Sequence, residues 1–309
     1  MRALVTGAGG FAGGYLVRHL REQGHDVVGA GRAGDRCDVV LDLNDEESIR
    51  AAIEAARPEV VFHLAAQTFL PQAAQRPIET YETNIIGTAK LLGALERGTR
   101  LLFTSSAQVY GAGPQDRRAL REDDPLRPSE PYAASKACGE HLCMVARHTH
   151  GLDCVIARAF NHIGPGQDIR FAIASFANQL ARIAAGVQSP RIDVGNLEAE
   201  RDFLDVRDVV RAYAVLAERG KGGEVYNVCS GHPRKIKELL RGLIVQAGVA
   251  VEVREDAARM RQGDIPTFYG DNVKLRALGW EPRIALEQSL REVYEYALSS
   301  AKTSAGASR

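Results

Sequence analysis

Short apolar runs alternate with stretches of helical periodicity through the first half of the chain. Residues 3–6, 26–30, 39–41, 60–64, 101–104 and 154–157 read as strands, and 11–23, 45–56, 77–96 and 131–149 as helices. The strands are apolar along most of their length instead of alternating, which is the pattern of strands covered on both faces. Repetition of strand and helix with such strands predicts an α/β fold with a doubly wound parallel sheet. After residue 160 the rhythm changes: Pro165, Pro190 and several glycines cut the chain into shorter pieces. A helix fits 171–185, a strand 223–228 and a last helix 286–298, so this half reads as a smaller α/β unit interleaved with the first.

The segment Thr6-Gly7-Ala8-Gly9-Gly10-Phe11-Ala12-Gly13 falls where the first strand meets the first helix. Gly7, Gly10 and Gly13 give the spacing G-x-x-G-x-x-G. Such a turn lets the main chain, together with the positions of Phe11 and Ala12, approach a pyrophosphate seated on the helix N-terminus. The chain holds 30 glycines, so the triplet alone is weak; its place between strand and helix carries the reading. The second strand runs out through Gly29-Ala30-Gly31 to Arg32, where an NAD enzyme places an acid for the ribose 2′-hydroxyl. A guanidinium suits a 2′-phosphate through paired, charge-assisted hydrogen bonds. NADP(H) is therefore the expected cofactor, the alternative being a solvated surface arginine. Asp42-Leu43 after the third strand is placed to meet the adenine edge, and Leu64-Ala65-Ala66 after the fourth to pass beside the phosphates. Both lie at carboxyl ends of strands, where open α/β sheets bind ligands. Residues 1–160, with about 201–229, are expected to form this Rossmann-type dinucleotide-binding domain.

Tyr132-Ala133-Ala134-Ser135-Lys136 sets a phenol and an ammonium four residues apart, on one face of a helix. A cation beside a phenol favours the tyrosinate and lowers its pKa, so the pair is expected to serve as general acid or base near neutral pH. Upstream, Thr104-Ser105-Ser106-Ala107-Gln108-Val109-Tyr110-Gly111 brings hydroxyls to the end of the fifth strand. Ser106 is then placed to hydrogen-bond a reacting carbonyl or alcohol oxygen; without Tyr132 and Lys136 this stretch would read equally well as a serine-rich loop cap.

Composition narrows the classes. Lys+Arg and Asp+Glu both number 39 in 309 residues, a balance that argues against a nucleic-acid or membrane binder. No apolar run approaches the ~20 residues of a bilayer span. The chain goes straight into a strand and leaves no room for a signal peptide, so a cytoplasmic protein is expected. Its five cysteines lack Cys-x-x-Cys spacing and read as reduced thiols, and its eight histidines form no metal-ligand pattern, so no metal is expected.

These segments together resemble the extended short-chain dehydrogenase/reductase family over nearly the whole chain. The matching residues are Thr6–Gly13, Leu64–Ala66, Thr83-Asn84 with Gly87-Thr88, Ser105–Gly111, Tyr132 with Lys136, and Arg201-Asp202-Phe203 with Asp205-Val206 and Asp208. The second half is similar to enzymes acting on GDP-6-deoxyhexoses. The segments concerned are Arg158-Ala159-Phe160-Asn161-His162-Ile163-Gly164-Pro165-Gly166-Gln167, Val194-Gly195-Asn196-Leu197-Glu198-Ala199-Glu200 and Tyr226-Asn227-Val228-Cys229-Ser230-Gly231. The resemblance implies NADPH-dependent reduction of the C4 ketone of a GDP-4-keto-6-deoxyhexose, giving a GDP-6-deoxyhexose such as GDP-D-rhamnose. The alternative it leaves is a GDP-mannose 4,6-dehydratase or a nucleotide-sugar 4-epimerase that recycles its cofactor. Dehydratases of this kind carry Glu two residues after the catalytic hydroxyl residue. Here that place is Gln108, whose amide does not titrate; Gln67 is the more dehydratase-like feature.

By the same resemblance, Ser106, Tyr132 and Lys136 are the catalytic group, with Asn84, Thr104 and His162 toward the cofactor. Asn161 and Arg201 would hold the diphosphate, Asn196 and Leu197 the nucleobase, Arg261 the phosphates and Asp264 a ribose, with Gln108 on the substrate side. Residues 161–200 and 230–309 would form the sugar-nucleotide-binding domain. The helices at 77–96 and 131–149 resemble a pair that builds a four-helix interface in relatives, implying a homodimer.

Overall fold

The computed structural model describes residues 1–113, 116–259 and 265–307, apart from the side chains of 304–307. In the first half, strands β1 (Arg2–Thr6), β2 (Asp26–Gly31), β3 (Val39–Val40), β4 (Val60–His63), β5 (Arg100–Ser106) and β6 (Asp153–Ala159) are joined by helices. These are α1 (Phe11–Glu22), α2 (Glu46–Ala56), α3 (Leu70–Gln75), α4 (Pro77–Tyr81), α5 (Gly87–Ala94) and α6 (Pro131–Thr149). The second half adds strands β7 (Asn161–Ile163), β8 (Arg191–Val194), β9 (Glu200–Asp205), β10 (Val225–Val228), β11 (Pro233–Lys235), β12 (Glu252–Glu255) and β13 (Thr267–Phe268). Its helices are α7 (Ala172–Ala184), α8 (Val206–Arg219), α9 (Ile236–Ala247), α10 (Val273–Arg276) and α11 (Leu286–Ala307).

Seven strands form one parallel sheet in the order β10-β6-β5-β4-β1-β2-β3. Strand order reverses between β1 and β4, and their carboxyl ends therefore open a crevice at the switch point of a doubly wound sheet. One face is covered by Leu16 and Leu20 of α1 and by Val209, Tyr213 and Leu216 of α8; the other by Ile49 of α2, Leu91 of α5 and Cys143 of α6. Fully buried side chains of this size each contribute about 1.5–3 kcal/mol of transfer free energy. Leu275 and Trp280 pack into the α1–α8 core, and the Trp280 indole N–H donates to the Asp208 carbonyl at 3.0 Å. The chain thus returns to the large sheet a third time, after α8 and β10.

The smaller unit pairs β9 with β7, β11 and β13, and β8 with β12. Its core is Ile173, Phe176 and Leu180 of α7 against Leu239 and Leu243 of α9 and Val293 of α11. Among the described residues no helix is long and apolar enough to cross a membrane, and all five cysteines are free thiols.

Several elements differ from the reading of the sequence. The stretch 77–96 is not one uniform helix: a π-helical turn, Glu82–Ile86, separates α4 from α5, which ends at Ala94. Helices α8 and α9 carry apolar positions at three-to-four spacing that the reading left unassigned. β5 continues to Ser106, so the three hydroxyls from Thr104 onward lie in the strand itself. The start of α6 follows from local chemistry, since Pro131 pre-sets the first helical φ.

Candidate active site

Gly7 takes φ +74°, and a Cβ on it would lie 2.9 Å from the main-chain nitrogen of Ala65. A Cβ on Gly13 would lie 2.0 Å from the Gly7 carbonyl oxygen, and the Gly10 N–H donates to that same oxygen at 3.0 Å. The turn is a cradle that side chains would fill, and no side chain caps the N-terminus of α1 behind it. Ala65, with Leu64 and Ala66 around it, forms the opposite wall. These residues fit a dinucleotide pyrophosphate on the α1 N-terminus. Phe11 opens α1 and stacks on the His162 ring, centroids 5.9 Å apart and 6° from parallel, so the small unit reaches the cradle here. Ala12 is half-buried beside it.

Arg32 is exposed just past β2, and its N–H donates to Asp35 Oδ2 at 2.9 Å. The Asp35 Cβ comes within 2.6 Å of where a Cβ on Gly9 would stand. An acid therefore folds back against the glycine turn beside Arg32, three residues beyond the point where the sequence offers none. The Asp42 carboxylate accepts the Asn44 N–H at 2.9 Å, and Leu43 is buried against Gly87 of α5.

Thr104, Ser106, Tyr132 and Lys136 come together where β5 ends and α6 begins, and all four are buried. The Lys136 ammonium donates to the Thr104 carbonyl at 2.8 Å and lies 5.0 Å above the Phe103 ring. Ser106 Oγ accepts the Gln108 N–H at 3.2 Å, capping the short turn that follows β5. Gln108 itself is half-buried. Helix α6 lies close on β5: a Cβ on Gly139 would stand 2.3 Å from the tip of Phe103.

The electrostatics correct one expectation. Burial pushes the Tyr132 phenol up to about 12, against a smaller opposing pull from hydrogen bonding with Ser106. Lys136 is drawn down to about 8, chiefly by burial. Desolvation dominates both groups, and Lys136 is not among the causes that act on the phenol.

Several contacts around the site were not foreseen in the sequence. Asn84, in the π turn, donates through Nδ2 to Ser135 Oγ and to the Gln67 carbonyl, both at 2.9 Å, and accepts the Gln67 N–H at 2.8 Å. The Gln67 side chain is committed to its own turn, accepting the Phe69 N–H at 2.6 Å and donating to the Phe69 carbonyl at 3.2 Å. Glu140, one turn beyond Lys136, makes a buried two-pronged pair with Arg158 at 2.7 and 2.9 Å and accepts the Ser105 hydroxyl at 2.5 Å. Arg158 also donates to Tyr110 Oη at 2.9 Å. The available signal for this pair was an acid four residues past Lys136 on the same helix face.

On the small unit, Asn161 and Arg201 lie on the adjacent strands β7 and β9. The Asn161 amide donates to the Asp202 carbonyl at 3.0 Å, and Arg201 donates to the carbonyls of Glu200 and Ile265 at 2.8 and 2.7 Å. Asp202 beneath them accepts the N–H groups of Ser230 and Gly231 at 2.7 and 2.9 Å, and burial raises it to about 6. Asn196 Oδ1 accepts the Glu198 N–H at 3.0 Å, and Leu197 packs on the small unit's core. His162 Nδ1 lies 3.2 Å from the Phe160 carbonyl and so carries a proton there. Arg261 and Asp264 lie outside the described residues.

In this crevice the protein's own proton-handling groups stand one strand away from the loops lining the dinucleotide cradle, with no second protein domain supplying them. That is the design of a short-chain dehydrogenase/reductase. The family model for GDP-mannose 4,6-dehydratase matches residues 4–293. The GDP-6-deoxy-D-mannose reductase of Pseudomonas aeruginosa is 40% identical over 297 residues, covering 94% of this chain and 95% of the relative. The GDP-6-deoxy-D-talose 4-dehydrogenase of Aggregatibacter actinomycetemcomitans is 30% identical over 302 residues, covering 96% and 97%. Among solved structures, RMD from Pseudomonas aeruginosa complexed with NADPH superposes with a TM-score of 0.88 at 37% identity, covering 97% of this chain and 100% of that one. The chain belongs to the GDP-mannose 4,6-dehydratase family of extended short-chain dehydrogenases/reductases.

Proposed function

We propose that this protein reduces the C4 ketone of a GDP-4-keto-6-deoxyhexose with NADPH, giving a GDP-6-deoxyhexose such as GDP-D-rhamnose. Gln108 carries the reading. Its N–H bonds Ser106 Oγ at 3.2 Å, so it belongs to the catalytic turn, yet its amide does not titrate where elimination needs an acid. The likeness to a GDP-6-deoxy-D-mannose reductase points the same way. Gln67, the dehydratase-like residue, is accounted for by its bonds within the turn at Phe69.

The nicotinamide, when bound, supplies the hydride. Gly7, Gly10, Phe11, Ala12 and Gly13 would seat the pyrophosphate, Arg32 the 2′-phosphate, and Lys136 the nicotinamide ribose. Tyr132 passes its proton to the C4 oxygen, and Ser106 holds that oxygen by a hydrogen bond. Asn161 and Arg201 would hold the diphosphate from β7 and β9, with Asn196, Leu197, Arg261 and Asp264 toward the nucleoside. In this division the large sheet binds the dinucleotide and the smaller unit the sugar nucleotide. A cytoplasmic homodimer is part of the proposal: Ile78 and Ile86, and Met144 and Val145 of α6, leave apolar side chains exposed.

The test is stoichiometry. With GDP-4-keto-6-deoxymannose, one NADPH is oxidised per product formed, and Tyr132→Phe binds NADPH but turns over at least about 100-fold more slowly. Conversion of GDP-mannose with no net NADPH consumed, or a Tyr132→Phe variant near wild-type rate, refutes it.

A further inference from the structure

His63 has no part in the roles above, yet it is enclosed beneath the crevice at 1% exposure with both ring nitrogens partnered. Nδ1 lies 2.8 Å from Thr6 Oγ1 and Nε2 lies 3.0 Å from Thr88 Oγ1. The direction of these bonds follows from proton counting. The Thr88 hydroxyl donates its one proton to the Asn84 carbonyl at 2.7 Å, so it accepts from the ring. Nε2 therefore carries the imidazole proton, and Nδ1 accepts from the Thr6 hydroxyl. Thr6 Oγ1 in turn accepts the Ala65 N–H at 3.1 Å. With the proton on Nδ1 instead, Thr88 would donate to the ring, and the Asn84 carbonyl and the Thr6 proton would each lose this partner.

Two branches lead from this ring to the catalytic pair. Through its side chain, Thr88 holds the π turn at Asn84, Asn84 donates to Ser135 Oγ at 2.9 Å, and Ser135 donates to the Tyr132 carbonyl at 2.8 Å. Through its main chain, the His63 carbonyl accepts the Thr104 hydroxyl at 2.8 Å, and the Thr104 carbonyl accepts Lys136 Nζ at 2.8 Å. The same ring touches the wall of the glycine turn by way of Thr6 and Ala65.

We propose that His63 is a positioning residue: as a neutral imidazole protonated on Nε2, it fixes the π turn and the end of β5 so that Tyr132 and Lys136 face the crevice in register with the glycine turn. This rests on Tyr132 and Lys136 acting as in the proposed reduction. It also gives the π turn a purpose, since that turn is what places Asn84 between Gln67 and Ser135.

The test has two arms, both on the full chain. In long-range proton–nitrogen NMR of histidine-labelled protein, with His63→Gln for assignment, Nε2 should resonate as protonated and Nδ1 as bare from pH 5.5 to 8.5. A proton on Nδ1, or exchange between the forms, overturns the proposal. In kinetics, Thr88→Val should lower kcat about 10-fold, the effect of one lost buried hydrogen bond, with KM and NADPH Kd within about threefold. Thr88→Ser, which keeps the hydroxyl, should recover to within about threefold of wild type. Wild-type kcat in Thr88→Val, or equal impairment in both variants, overturns it. If Thr88→Val does not fold, the tautomer and the Thr88→Ser rate still decide. If the wild type reduces no GDP-4-keto sugar, the proposed function falls, and the tautomer alone decides for or against the ring's assigned state.

Discussion

Gly13→Ala isolates the geometry on which cofactor binding depends. The new methyl would stand 2.0 Å from the Gly7 carbonyl oxygen, 2.7 Å from the Gly7 carbonyl carbon and 3.0 Å from the Ala8 Cα. Ordinary contact needs about 3.5 Å, so α1 must back away from β1 by roughly 1.5 Å. Nothing opposite can yield, because all three atoms are main chain and Gly7 is already at φ +74°. Overpacking of this kind costs about 1–3 kcal/mol of stability. Binding should suffer more, since the N–H groups of α1 move off the phosphates; two charge-assisted hydrogen bonds lost give about a 100-fold weaker NADPH Kd. Gly14→Ala is the control. Its nearest neighbour would be the Ala8 carbonyl oxygen at 3.6 Å, an ordinary contact, and alanine in a helix gains about 0.5–1 kcal/mol over glycine. Fluorescence titration with NADPH and thermal unfolding of both variants check this. Equal behaviour of the two variants, or a Gly13→Ala protein that binds NADPH like wild type, would refute the reasoning.

Three further outcomes are expected. Arg32→Ala should weaken NADPH by about 10–100-fold and NADH by less than about threefold in parallel titrations; equal loss of both would mean that Arg32 does not meet the 2′-phosphate. Arg158→Met leaves the buried Glu140 carboxylate unpaired and should cost about 3–5 kcal/mol in urea unfolding, most of it recovered in Glu140→Leu/Arg158→Met; no recovery would mean the pair is not the cause. His63 is held down to about 3 from its ordinary 6.5 by burial and, secondarily, by Lys136. Its folded value lies below its unfolded one, so its contribution is full above pH 6.5 and lost as pH falls toward 3. It should account for on the order of 3 kcal/mol between pH 7 and pH 4, seen as a shallower acid limb in His63→Gln than in wild type. Parallel limbs would contradict this.

What local pattern can encode was legible in the sequence, and what depends on register was not. Buried strands and three-to-four helices announce the sheet, and the glycine turn and Tyr132–Lys136 face follow from spacing within single elements. The His63 chain needs Thr6 beside His63 across β1 and β4, and no property of either strand alone reveals that pairing. Glu140 and Arg158 meet only once α6 lies on β5 and β6. Asp35 escaped notice because a loop folds it back on the turn. The phenol was misjudged because spacing shows a neighbouring charge, whereas the burial that outweighs it is a property of the assembled core. The π turn has no spacing signature of its own; Asn84 marks it only after its partners are known.

The central claim is that this crevice delivers hydride to C4 while Tyr132 protonates the oxygen. The direct measurement is NMR of the product formed from GDP-4-keto-6-deoxymannose and NADPH carrying deuterium in both positions at the nicotinamide C4. Deuterium at sugar C4, equal in amount to the labelled NADPH oxidised, is the expected result. A product without label at C4, or GDP-mannose consumed while NADPH is untouched, would contradict it.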